Sequence, residues 1–480
     1  PFADEDAQTD LVFKGACIRN VFHPAWDKIY GDPSEPATSV VFGEKGAGKT
    51  AMRLQVIRRL GDFNTNHPDS QVFVVQYDDF NPFLDHFREN FSGRNRRIDR
   101  ALTQWRLWDH MDAILSLAVT QLVDRALENR QVRQPAARDE PLKLDRLDRN
   151  QAGDVLLLAA IYDQSRAESP LSRWQRLRKK LRYRTWQSKL DFVFGTLASV
   201  AAIALFIRYD AKLFLTPWPY LAIAVAWAWW VWHWLQVAWH SWHVIRNTRV
   251  LGHSARPMRQ VLMQLPIAEL SGQPLPKTPQ TDARYQCLEK LQRILRTLGF
   301  EGIVVIVDRV DEPYQVNGST ELMQALIWPL FDNKLLKHPG LGIKMLLPVE
   351  LERTIDRQDR DFHERARLDK QNLIRTLAWT GQSLYDLANA RLAACSTNGK
   401  SPVITDMLDQ AIDARRLKDA LATLRVPRHL FKFMYRLLTA HCNAHSDDSP
   451  QWRISVAEFE SVLALYQRDQ DALDRGVGAG

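Results

Sequence analysis

The chain has few cysteines and none in pairs. Cys17, Cys287, Cys395 and Cys442 stand far apart, and no CxxC occurs. A disulfide scaffold or a zinc ribbon needs closer spacing, so neither is expected, and a reducing setting fits the bulk of the chain. Low-complexity tracts and internal repeats are missing as well. With 45% apolar and 25% charged residues over 480 positions, a mainly disordered or collagen-like chain is excluded, and the length fits about two to four globular domains. The acidic stretch after Pro1 lacks the apolar core of a secretory signal. Long apolar runs are scarce, which excludes a polytopic membrane protein, with one local exception.

That exception coincides with the only basic excess. Residues 169–190 hold eight basic residues and no acid, and residues 245–268 hold four and no acid; without these twelve the net charge of +8 becomes −4. The two segments flank a strongly apolar region. From Phe192 to Ile207 there is no charge, and from Leu213 to Ile245 there is no Asp, Glu, Lys or Arg. A spanning helix needs about 20 apolar residues, so the second run suffices, and snorkelling by Lys189 and Arg208 extends the shorter first run. Between them Arg208, Asp210, Lys212, Pro217 and Pro219 suit a short turn. Eight of the sixteen tryptophans lie between Trp218 and Trp242, as interfacial anchors would. The pattern predicts a transmembrane hairpin at about 190–208 and 218–240, with both ends in the cytoplasm by the positive-inside rule. The bland alternative is a buried helical pair in a soluble core, for which two polybasic flanks have no use. His233, His240 and His243 fall in this region and read as interfacial side chains rather than ligands.

The strongest chemical signal is Gly43-Glu44-Lys45-Gly46-Ala47-Gly48-Lys49-Thr50, which fits the phosphate-loop pattern Gly-x-x-x-x-Gly-Lys-Ser/Thr. Its context fits too. Ser39 to Phe42 reads as a buried strand, and Thr50 to Leu60 as a helix with Met52, Val56 and Leu60 on one stripe and Arg53, Arg58 and Arg59 off it. The glycines let backbone N–H groups turn inward around phosphate oxygens, and the helix start favours an anion. Lys49 neutralises phosphate charge, and the Thr50 hydroxyl suits a Mg²⁺ shell.

A nucleotide hydrolase also needs carboxylates. FEGIVVIVDRVDEPY supplies them: Ile303 to Val307 is a continuous β-branched run, and Asp308 stands at its C-terminal end, where open α/β sheets bind ligands. Asp308 is assigned to Mg²⁺. Asp311 and Glu312 are the candidates for activating water, with Glu312 preferred. A solvated acidic loop is the bland reading of the same residues.

Elsewhere, strands are expected at 71–77, 343–347 and 373–377, and helices near 98–130, 143–168, 282–299 and 319–335. Past about residue 380 the pattern is helical. Trp105 and Trp108 read as core rather than base-stacking residues, and Arg94, Arg96, Arg97 and Arg100 as a solvated face.

GEKGAGKT, VVIVDRVDE and the hairpin between them together resemble the KAP family of P-loop NTPases, and the acidic ending is similar to the related STAND NTPases. The resemblance implies an α/β fold of ASCE type: a mostly parallel three-layer sheet with a strand between the two motif strands, an inserted helical region carrying two transmembrane helices, and a C-terminal helical part. The expected organisation is 1–91 and 281–380 for the NTPase domain, 92–280 for the insertion and 381–480 for the helical subdomain. ATP and Mg²⁺ are the implied ligands. Lys49, Thr50 and Asp308 match motif positions, and Asp311 and Glu312 match the acidic pair. Arg428, in a Pro-Arg pair, resembles a sensor arginine near the γ-phosphate, and reads equally as a solvent-facing helix start. Two departures stand out: Arg309 follows the metal aspartate where many such enzymes carry an acid, and KMLLPVELER lacks an arginine directly after its strand.

The implied function is a membrane-anchored ATPase working as a conformational switch at a bacterial inner membrane, with the NTPase domain in the cytoplasm. Family members are linked to phage or plasmid exclusion and to membrane signalling. Its contacts would be lipids, through the hairpin, and a protein partner or further copies of itself. The alternatives are a nucleotide-binding membrane scaffold with little turnover and a nucleic-acid motor; the −4 charge outside the flanks speaks against the motor.

Overall fold

The computed structural model describes the chain except residues 90, 129–141, 166–167, 184–195, 251–254, 263–275, 277–280, 397–400, 446–449, 475–480 and a scattered set between 198 and 249. The chain divides into two units. One is built from residues 1–81 and 301–480, the other from 82–133 and 139–300.

Five strands form the sheet: β1 Ser39–Gly43, β2 Gln71–Tyr77, β3 Phe300–Val307, β4 Leu341–Pro348 and β5 Asn372–Ile374, in the order β2-β3-β4-β1-β5. The pairs β1–β4, β1–β5 and β3–β4 are parallel, with Val41 opposite Leu346 and Ile374, and Val305 opposite Ile343. β4 therefore lies between the two motif strands. SVVFG and GIVVIV are apolar without a polar phase, as strands covered on both faces require. Val41 shares a core with Met52, Val56 and Leu60 of the Lys49–Asn66 helix. Val40 and Phe42, which point to the opposite face, are fully buried as well, so both faces are covered. Each such side chain contributes about 1.5–3 kcal/mol by burial, more than a surface ion pair supplies. Asn64, near the end of that helix, fastens β2 by donating to the Val72 carbonyl at 2.9 Å and accepting from its N–H at 2.7 Å.

Several expected elements differ; the segment expected to be helical near 98–130 holds two helices, Ile98–Leu102 and Leu107–Ala126. The strand expected to run to residue 377 ends at Ile374, because Arg375 turns out to solvent and pairs with Glu352 and Asp356. The helix expected at 319–335 is divided into Thr320–Ile327, a 3-10 turn Trp328–Leu330 and Asn333–Leu336. Pro329 cannot continue the helical ladder, and Asp332 caps the next segment by accepting from the Leu335 N–H at 3.1 Å. One polar residue lies deep in β4. The Lys344 ammonium donates to the Tyr30 carbonyl at 3.0 Å, and burial pulls its pKa down to about 8. The helices Gly381–Cys395, Ala414–Ala422, Pro427–Ala444 and Val456–Asp474 share a separate apolar core that includes Leu384, Leu417, Leu430, Phe433 and Phe459.

The second unit is helical. Its members include Leu107–Ala126, Arg149–Tyr162, Pro170–Lys180 and Asp282–Thr297. Arg284 donates to both oxygens of Asp112 at 2.8 Å, and the Tyr162 hydroxyl donates to Asp112 at 3.3 Å. Removing one partner would strand a buried charge, so this pair commits the Asp282–Thr297 helix to the second unit. Trp105 is a core residue, fully buried, and its indole N–H donates to His110 at 3.0 Å.

The expected hairpin at 190–208 and 218–240 lies largely outside the described residues, as do His233, His240 and His243. Among the described residues no helix is long and apolar enough to cross a membrane. Leu197, Val200, Leu221, Val225, Trp232 and Trp239, among those described in this stretch, are helical and exposed. The Trp227 indole donates to the Ser199 hydroxyl at 2.8 Å, joining the two runs.

Candidate nucleotide-binding site

The site is built where β1 and β3 end. After Gly43 the chain loops through Gly46 and Gly48, whose φ angles of +90° and +95° lie in the left-handed region. Only glycine takes these angles without strain. A side chain at Gly46 would also collide with Arg428, since an added Cβ would sit 2.7 Å from the Arg428 Cβ. Gly48 caps the Lys49–Asn66 helix without a side-chain hydrogen bond, so its first N–H groups remain for an anion. Glu44 is half-buried, Lys45 exposed and Ala47 fully buried.

Lys49 folds back on its own loop, donating to the Gly43 carbonyl at 2.7 Å and the Glu44 carbonyl at 3.1 Å. Burial pulls its pKa down; Asp311, Asp308 and Glu350 push it up, and Arg428 opposes them. Opposite it, Asp308 is buried at the end of β3, and burial raises its carboxyl to about 6 against the pull of Arg53, the Arg309 N–H and Lys49. Arg53 Nε lies 3.4 Å from Asp308 Oδ2, and Arg53 also pairs with Asp78 at the end of β2.

The turn after Asp308 carries both acids to the border of one cavity. Arg309 has φ +60°, a left-handed conformation that side chains rarely adopt, and it bends the chain sharply. Glu312 is 58% exposed, with its carboxylate 3.5 Å from Arg309 Nε, and it borders the same cavity as Asp311. Asp311 is half-buried and is the strongest opposite charge acting on Lys49. Of the two acids on this cavity, Asp311 is the more buried and Glu312 the more exposed.

Arg428 reaches the same place from the C-terminal helices. It stands in the first turn of Pro427–Ala444, its backbone N–H donates to the Gly46 carbonyl at 3.4 Å, and its guanidinium lies 3.9 Å from Glu5, which also pairs with Lys432 at 3.5 Å. A cavity of about 200 Å³ is lined by Lys49, Thr50, Asp308, Asp311, Trp379 and Arg428 among others. Four residues to which the sequence reading gave no role in the site shape it. Arg53 and Asp78 hold Asp308, Trp379 donates to the Ala47 carbonyl at 2.9 Å, and Glu5 faces Arg428. Arg53 had a signal, for it lies one turn after Lys49 on the same helical face.

The residues present fit a metal–nucleotide complex. Among the described residues, the buried atoms Asp308 Oδ2, Arg309 Nε and Arg428 Nε have no hydrogen-bond partner, and all three residues border the cavity. One is an acceptor suited to a cation and two are donors suited to phosphate oxygens. Lys49, Thr50, Asp308 and the loop N–H groups would hold the complex. Comparison with family models, with curated proteins and with solved structures returned no match.

Proposed function

We propose that the chain is a KAP-type P-loop ATPase, anchored at a membrane, that binds and hydrolyses Mg-ATP as a conformational switch. The observation that carries this reading is the convergence of Lys49, Thr50, Asp308 and Asp311 on one cavity at the ends of two strands separated by β4. Bound Mg²⁺ would neutralise charge on phosphate oxygens. Lys49 would exchange two loop carbonyls for those oxygens, Thr50 and Asp308 would hold the metal, and an Asp311 carboxylate oxygen would accept the proton of the attacking water. Arg428 donates to the phosphate end. The exposed apolar side chains between Leu197 and Trp239 and the Trp227–Ser199 bond support the hairpin anchor. By resemblance, the output is phage or plasmid exclusion or membrane signalling.

A second reading, a nucleotide-binding scaffold with little turnover, is favoured by Arg309, which holds the position directly after Asp308 and pairs with Glu312 at 3.5 Å. The test is Mg²⁺-dependent hydrolysis by the detergent-solubilised protein. Asp311→Asn is expected to lower turnover by about 10²-fold or more with nucleotide binding kept, and Glu312→Gln to have a smaller effect. The reverse order moves the base to Glu312. Binding without turnover in the wild type selects the scaffold, and Lys49→Ala with undiminished turnover removes the proposal.

A further inference from the structure

At its far end the Pro427–Ala444 helix, whose first turn carries Arg428, meets the Val456–Asp474 helix in a cluster of metal-ligating side chains. His441 and His445 are one turn apart and so share a face. Glu458 comes from the next helix. All three are half-buried, and one ligating atom from each lies within 4.8 Å of the others.

The hydrogen bonds of His441 show what the cluster is built for. Its Nε2 lies 2.8 Å from the Gln451 carbonyl oxygen, which only accepts, so Nε2 carries a hydrogen. Its Nδ1 lies 2.9 Å from Glu458 Oε2. A carboxylate also only accepts, so a cation must sit between them: a proton or a metal ion. The second carboxylate oxygen, Glu458 Oε1, is buried and has no hydrogen-bond partner among the described residues. A backbone carbonyl holding one ring N–H while the other nitrogen faces the remaining ligand atoms is the outer support usual for a metal-bound histidine.

We propose that His441, His445 and Glu458 bind a borderline divalent cation of the zinc type. Two imidazoles and one carboxylate suit Zn²⁺, with water in the fourth position, whereas Mg²⁺ and Ca²⁺ call for more oxygen ligands. Ligand atoms bonded at about 2.0–2.1 Å stand about 3.3 Å apart around a tetrahedral ion. Closing the cluster therefore needs only side-chain rotation at His445 or Glu458. The site is independent of the nucleotide reading. The ion would fasten two helices of the C-terminal core across the loop that joins them.

The test is Zn²⁺ binding by the intact chain, read by metal analysis after dialysis, by competition with a chromophoric chelator, and by the visible spectrum after Co²⁺ replacement. One equivalent of zinc is expected, with melting raised by about 3 °C or more at saturation and a tetrahedral Co²⁺ spectrum. His445→Ala, at the helix C-cap, and Glu458→Gln are each expected to weaken binding at least tenfold while far-UV circular dichroism stays unchanged. Cys442 is exposed beside His441 and is a competing thiol, so Cys442→Ser must keep the affinity. Absence of bound zinc in the wild type overturns the proposal. So does an affinity that both His445→Ala and Glu458→Gln leave intact, or one that Cys442→Ser alone abolishes.

Discussion

At the scale of single residues, Asp308 on the proposed reading sets function against stability. Its carboxyl is held at about 6 in the fold, against about 3.9 in an unfolded chain. The folded state therefore binds this proton more tightly, and the stability so contributed is full below pH 4 and lost as pH rises through 6. Near neutrality the buried carboxylate costs on the order of 2 kcal/mol. Asp308→Asn removes that cost and leaves Arg53 paired with Asp78. Urea unfolding at pH 7.5 is expected to show the variant more stable by about 1–2 kcal/mol, with the gain vanishing near pH 4 and Mg²⁺-dependent turnover lost. A gain that ignores pH would contradict this account. The phosphate loop, Asp308 and the acidic pair were legible because their chemistry needs fixed residue types at fixed spacing. Arg53 was not, because an arginine on a helix ordinarily reads as solvated. Its burial follows from β2 and β3 being neighbours, which no local pattern states. The differing exposure of Asp311 and Glu312 was hidden for a similar reason, since no local pattern states the left-handed backbone of Arg309 between them and Asp308.

At the scale of elements, β1 to β4 were plain from their apolar runs, while the limits of β5 and of the segment broken by Pro329 depended on tertiary partners. Lys344 interrupts the apolar run of β4 and has a measurable consequence. Its folded pKa of about 8 lies below the value of about 10.4 in an unfolded chain. Between these values the unfolded state binds more protons, so stability rises with pH across this window. Below pH 8 the ammonium is charged in both states, and burying it is unfavourable. The stability of the wild type relative to Lys344→Met is expected to increase by about 2 kcal/mol between pH 7 and pH 10, as read by denaturant unfolding. A constant difference between the two proteins would show that the Tyr30 carbonyl already compensates the charge.

At the scale of the whole molecule, the proposed reading joins the basic segments and the exposed apolar side chains between them in one property, attachment to a bilayer. The intact protein is expected to sediment with membranes, to resist salt and alkaline washing, and to be released by detergent. A chain lacking residues 190–240 is expected to remain in the supernatant. Release of the intact protein by salt alone would replace insertion with electrostatic attraction to lipid headgroups. Arg53 bears on this design in another way. Asp78 and Asp308 stand on either side of the long stretch of sequence that separates β2 from β3, and one guanidinium from a third element clasps both. The seam where the foreign segment enters is thus sewn from within the host. Residues on the far side of the stitch can diverge in length and character while the edge of the sheet stays shut.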